Sequence, residues 1–235
     1  MASYCLRIIR HISERRHVKQ LVIWADNCTG QNKNWFLYTA LIQCVNSATW
    51  APETVVIKYL EVNHTFMAAD AVHGAIGRRL KKQTLPTFRS FSTLCASSSK
   101  TFEVVEMGVG EFYQINKEKR PVSKKNAGED IKLATIVQVT FTKGKSSIFI
   151  KTSFKGESTE HDILKKRFVD SGLWLTMPET IQTRRGIPTN KKNGIIGALT
   201  DDISEDDKCW WDTLTVNDSS VDLGITREKG EIITG

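Results

Sequence analysis

Residues 21–34 constrain the fold of this chain more than any other stretch. They read Leu21-Val-Ile-Trp-Ala-Asp-Asn-Cys-Thr-Gly-Gln-Asn-Lys-Asn34, five apolar residues running straight into an acid and a polar loop. A continuous apolar run of this length, bounded by turn residues, predicts a buried strand. Asp26 then stands at its C-terminal end, where open α/β sheets hold ligands and metals. The plainer reading of Asp26 is a cap for the helix that follows, a role Asp and Asn often fill. Both readings stand on this stretch alone.

The flanks extend the pattern. Residues 3–18 place Tyr4, Leu6, Ile8, Ile9 and Ile12 among Arg and His, which predicts a helix. Residues 35–45 are strongly apolar over a helix length, and Asn46 and Pro52 end them. Residues 54–62 are rich in β-branched side chains and predict a second strand. Residues 66–82 predict a helix whose basic last turn, Arg78, Arg79, Lys81 and Lys82, suits the helix dipole. Such alternation argues for α/β layering with parallel neighbouring strands. A right-handed crossover then brings the two strand ends to one edge of the sheet, where Asp26 meets residues 63–70.

The character changes after residue 84. Breaker clusters surround a short apolar piece, and residues 102–107 alternate as a short strand does. Residues 118–130 read as a charged loop. Two strand-like runs, 132–142 and 146–154, are joined by Lys143-Gly-Lys145, which predicts a hairpin. Residues 161–200 are basic and rich in breakers, and the chain looks flexible from residue 215. The expected organisation is an α/β core over 1–84, a smaller β-containing basic region over 85–200 and an acidic flexible tail over 201–235.

The net charge is +7, unevenly placed: residues 1–200 carry +14 and residues 201–235 carry −7. A basic body suits a polyanion such as nucleic acid, the alternative being ordinary solubility charge. No apolar run reaches the roughly 18 residues of a membrane span, and the N-terminus has no secretory-signal pattern, so no membrane partner is expected. Five scattered cysteines without a CxxC pair predict reduced thiols and an intracellular setting.

Residues with chemistry to offer fall in two groups, Asp26, Asn27, Cys28, Gln31 and Asn32, and His64, Asp70 and His73. Two carboxylates from neighbouring elements can hold Mg²⁺, and paired divalent ions support phosphodiester cleavage. A second reading is zinc on Cys28, His64, His73 and Asp70, all permissible ligands at no standard spacing. A Cys28–His64 nucleophile pair is a third. A fourth is a binding module without cleavage, with Arg78, Arg79, Lys81, Lys82, Lys143 and Lys145 on nucleic acid. There Phe149 and Phe154 beside Lys151 and Lys155 give the mixture of rings and cations such surfaces use. The plain alternative for those rings is a hairpin with one apolar and one solvated face.

A strand ending in Asp-Asn, then a helix, a strand and a helix with a further acid, resembles the second half of a ribonuclease-H-like transposase or integrase core. The wording is similar to a transposon-derived group of uncharacterised animal proteins. Their cores carry Asp-Asn-Cys-x-Gly-Gln-Asn-Lys-Asn and then His-Thr/Ser-x-Met-x-x-Asp. Here these stand as Asp26-Asn-Cys-Thr-Gly-Gln-Asn-Lys-Asn34 and His64-Thr-Phe-Met-Ala-Ala-Asp70, with Phe149-Ile-Lys-Thr-Ser-Phe154 and Arg185-Gly-Ile-Pro as later echoes. The resemblance implies a partial ribonuclease-H-like core. It makes Asp26 the second and Asp70 the third acid of a metal-binding triad, with Mg²⁺ as cofactor. Asn27, Gln31, Asn32, His64 and His73 support them, DNA is the partner, and the nucleus is the setting. It also implies a first acid on a strand upstream of the helix at 3–18, where this chain begins. The expectation is therefore a chain inactive in cleavage by itself, with an unpaired strand edge open to oligomerisation.

Overall fold

The computed structural model describes residues 2–48, 52–61, 68–81, 83–115, 131–199 and 203–217. In chain order the elements are α1 (Ala2–Arg15), β1 (Gln20–Ala25), the single turn α2 (Thr29–Asn32), α3 (Trp35–Asn46), β2 (Thr54–Tyr59), α4 (Ala68–Leu80) and α5 (Phe88–Ser97). After them come β3 (Gln138–Thr142), β4 (Ile148–Lys151), β5 (Thr159–His161), α6 (Lys166–Asp170), α7 (Thr189–Ala198) and α8 (Glu205–Asp212). The fold is mixed α/β. Its residues group into two compact units, one of 1–74 and 105–183, the other of 75–104 and 184–235. The expected divisions at 84 and 200 follow composition, whereas the packed units are discontinuous in sequence.

The first unit is built on a five-stranded sheet in the order β1-β2-β3-β4-β5. Only β1 and β2 are parallel; the remaining pairs are antiparallel. The parallel pair needs a crossover, and α3 supplies it. Residues 35–46 are apolar around the whole helix, so α3 is buried from Leu37 to Asn46, as a helix without a polar face must be. It packs with Leu6 and Ile9 of α1 against Val55, Ile57 and Tyr59 of β2, Val139 and Phe141 of β3, and Ile148 and Ile150 of β4. Asn34 caps α3 by accepting a hydrogen bond from the Leu37 N–H at 2.8 Å.

The Lys143–Lys145 hairpin forms as the sequence predicts. Lys145 N donates to Thr142 O at 3.1 Å, and Gly144 has φ +81°, a left-handed conformation that favours glycine. Asn46, the last residue of α3, fastens this tip from below. Its Nδ2 donates to Ile42 O and Lys145 O at 2.8 and 3.0 Å, and its Oδ1 accepts from Gly144 N at 2.6 Å.

Two expectations are corrected here. β1 is not a buried strand: with β2 as its one partner among the described residues it lies at the sheet edge. Its residues alternate between exposed and half-buried, Val22 and Trp24 being 44% and 50% exposed. Residues 102–107 belong to no strand of the sheet, and residues 103–106 are exposed.

Among the described residues of the second unit the buried apolar side chains are Leu94 and Cys95 of α5 and Trp211 of α8. The Trp211 Nε1–H donates to Pro86 O at 2.9 Å. Ile187 N donates to Thr215 O at 2.9 Å and Asn217 N to Ile187 O at 3.0 Å. A methyl on Gly186 would come within 2.8 Å of Asn217 N, so Gly186→Ala is expected to push the two bridged segments apart and lower thermal stability, read by Tm. The acidic segment expected to be flexible thus contains a packed helix over its residues 205–212. Among the described residues no helix is long and apolar enough to cross a membrane.

Candidate functional site

Asp26 directly follows β1, at the C-terminal edge of the parallel pair, where Ala25 lies opposite Tyr59 and its carbonyl accepts from Leu60 N at 3.0 Å. Its carboxylate is already engaged. Oδ1 accepts from the Cys28 N–H at 3.3 Å and from the Asn32 side-chain amide. The backbone carbonyl of Asn32 accepts from the Tyr59 hydroxyl at 2.8 Å, and that hydroxyl lies 3.0 Å from the hydroxyl of Tyr38. Asn34 holds Gln31 O at 2.9 Å while capping α3. Most polar residues of the 26–34 loop therefore bond the loop to itself or to the core.

Lys33 is the loop residue that the sequence reading passed over. It is 1% exposed. Its Nζ donates to Ala134 O at 3.1 Å and sits 4.7 Å from the centre of the Tyr59 ring. Burial lowers its pKa from the ordinary lysine value. Nothing in the sequence signals this, since lysine is rarely found fully buried.

The other expected site residues are placed as follows. Asp70 and His73 are exposed on α4, three residues apart and so on one face of the helix. Asn27 and Cys28 are half-buried and Gln31 is exposed. His64 lies outside the described residues. Among the described residues no three His, Cys, Asp or Glu side chains gather as metal ligands do, so Cys28, Asp70 and His73 form no such group.

The hydrogen bonding gives Asp26 a loop-holding role that an amide can fill. Asp26→Ala is expected to cost about 1–2 kcal/mol in urea unfolding, while Asp26→Asn, which keeps the acceptor, costs less than half of that. Equal losses would mean that the charge, not the bonds, is what matters.

The cations expected on a nucleic-acid surface are exposed where the residues are described. Arg78 and Arg79 close α4, Lys81 follows it, and Arg79 Nη2 donates to Ser97 O at 3.0 Å. Lys82 lies outside the described residues. Lys143 and Lys145 flank the hairpin tip, with Lys145 3.5 Å from Glu160. Ser147 donates to that carboxylate at 2.5 Å and holds its pKa down, with Lys145 adding to the effect.

A surface not foreseen in full lies on the sheet. α1 and α3 cover one face. On the other, the register lines up Trp24, Lys58, Gln138 and Lys151 across four strands, and Val22, Val56, Thr140, Phe149 and Glu160 beside them. Val56 is buried beneath its neighbours, while the rings and cations are half-buried to exposed. Lys58 Nζ is 5.4 Å from the Trp24 ring centre, and the Phe154 ring is 6.2 Å from Trp24. Phe149 and Lys151 were among the sequence candidates; Trp24 and Lys58 were hidden because the run 21–25 read as buried on both faces.

The fold and this surface define a mixed α/β protein whose sheet carries rings and cations on the face opposite α1 and α3. A family model described as a domain of unknown function (DUF7869) matches residues 1–145, and the chain belongs to that family. Comparison with curated proteins and with solved structures finds no match to the chain.

Proposed function

We propose that this chain is a nucleic-acid-binding protein of transposase descent that binds a single strand on its open sheet face and does not cleave it. The observation that carries the reading is the row of Trp24, Lys58 and Lys151, flanked by Phe149 and Phe154, on the sheet face opposite α1 and α3. Bases stack on exposed rings without regard to sequence, and interleaved cations neutralise the phosphates between them. The +14 charge of residues 1–200 adds a long-range attraction.

Descent from a ribonuclease-H-like core is supported by the strand that runs into Asp26-Asn27, its parallel partner β2 and the acid-bearing α4 that follows. Absence of cleavage is supported by the bonding of Asp26, whose Oδ1 serves the loop. In this reading Asp70, His64 and His73 are remnants of a site, and any role for Mg²⁺ belongs to the ancestor.

The test is anisotropy with labelled oligothymidine at several salt concentrations. Trp24→Ala is expected to weaken binding by about 1–3 kcal/mol, and Lys58→Ala or Lys151→Ala to reduce the salt slope by about 0.7 each. The Trp24 substitution leaving affinity unchanged would remove the sheet face from the reading. Cleavage of the oligonucleotide in Mg²⁺ or Mn²⁺ that Asp26→Asn abolishes would overturn the non-cleaving part alone.

A further inference from the structure

Lys19 O accepts from Glu53 N and Thr54 N, and Ala25 O accepts from Leu60 N, so the odd-numbered residues of β1 turn their backbone groups toward β2. Successive residues of a strand face opposite sides. Gln20, Val22 and Trp24 therefore turn their N–H and C=O groups away from β2, which is the one strand partner of β1 among the described residues. Edge strands that stay unpaired ordinarily carry a charge, a proline or a bulge that blocks pairing. Gln20–Ala25 has no charge and no proline, and its register with β2 runs without a bulge from end to end. Val22 and Trp24 add exposed apolar side chains.

The charges around this edge select its partner. Arg16 and Lys19, both exposed, stand before β1, while Asp26 follows β1 and the exposed Glu61 follows β2. The edge is thus basic at its start and acidic at its end. Two copies set antiparallel bring unlike ends together, whereas a parallel arrangement opposes like charges. We infer that the chain forms a twofold-symmetric dimer by antiparallel pairing of β1 with β1 of a second copy, centred on Val22. Backbone geometry selects that centre. A hydrogen-bonded antiparallel pair requires two residues that both turn outward, here the even-numbered ones. With Val22 opposite Val22 of the second copy, Gln20 lies opposite Trp24 and Trp24 opposite Gln20, so every outward residue of both strands is paired. A shift by two residues leaves Gln20 or Trp24 outside the ladder. The two sheets become one, and the dimer stands whether or not the ring-bearing face binds nucleic acid.

Sedimentation velocity of the full chain is expected to show a concentration-dependent species of twice the chain mass. Val22→Lys sets two ammonium groups opposite each other only in the dimer. It is expected to weaken association at least about tenfold while the Tm at dilute concentration stays unchanged, because Val22 is exposed in the single chain. Val22→Thr keeps a β-branched side chain and should keep the dimer. Val22→Cys reads the register directly: opposed residues have Cα atoms about 5.5 Å apart, within disulfide reach, so mild oxidation should give a crosslink at position 22 in peptide mass maps. Gln20→Cys sets the two thiols four residues, about 13 Å, apart along the strands and should give none. A chain that stays monomeric at high micromolar concentration would leave the edge to a strand of another protein and overturn the dimer. So would association that Val22→Lys leaves unchanged, or a crosslink at position 20 with none at 22.

Discussion

Asn46→Ala is expected to lower the free energy of unfolding by about 3 kcal/mol in urea titrations. The side chain is 9% exposed and makes three hydrogen bonds, two donated and one accepted. Alanine removes all three bonds, each worth about 0.5–1.5 kcal/mol net, and leaves the exposed Gly144 N–H and Lys145 C=O to water. The loss has a location as well as a size. Amide exchange at Gly144 should rise well before exchange in α3, since the hairpin tip loses its anchor while the helix keeps its apolar packing. Gly144→Ala tests the same turn from the other side. Its φ of +81° disfavours any L side chain, so about 1 kcal/mol should be lost with Asn46 intact. A loss below about 1 kcal/mol in Asn46→Ala would mean that the hairpin is held by its strand pairing alone.

The order of elements was legible in the sequence wherever local pattern and tertiary environment agree. α1, α3, β2, α4 and the hairpin at 143–145 all declare themselves by period or turn chemistry. Residues 21–25 declare a strand equally well, but their depth depends on how many neighbours the strand finds, and periodicity carries no information on that. Residues 102–107 alternate in sequence yet join no strand of the sheet. Asn46 reads as a helix breaker because its partners lie 98 and 99 residues away in sequence. The Asp26 loop shows the same limit in its chemistry. Its string of Asp, Asn and Lys suggests ligands, yet Asp26, Asn32, Lys33 and Asn34 are each used in holding the turn to Tyr59, Ala134 and α3. Polar residues at a strand end serve either purpose, and only the bonding separates them.

Stability is expected to fall above about pH 9 more steeply than exposed groups account for. Burial pushes the Tyr38 hydroxyl from 10.0 up to about 12, and it pushes Tyr59 and the Cys44 thiol well above their ordinary values. Each folded-state pKa lies above its unfolded value, so the contribution is complete below the unfolded value and is lost as pH rises toward the folded one. For Tyr38 that window runs from 10.0 to about 12 and corresponds to roughly 3 kcal/mol. Lys33 acts in the opposite sense. Its lowered pKa carries a cost at neutral pH that is relieved as pH rises toward 10.5, the value of a solvated lysine. Burial raises Cys5 and Tyr113 as well, so five groups lose stability over this range while Lys33 regains it, and the net slope is negative. Tyr38→Phe should flatten the decline above about pH 10, and Lys33→Met should steepen it by removing the opposing term. Urea midpoints from about pH 8 to pH 11 give both slopes, with tyrosinate absorbance marking the unfolded chain. A decline that Tyr38→Phe leaves unchanged would mean that the paired hydroxyls of Tyr38 and Tyr59 reach water in the folded state, and the buried contact between α3 and β2 would have to be looser than their burial implies.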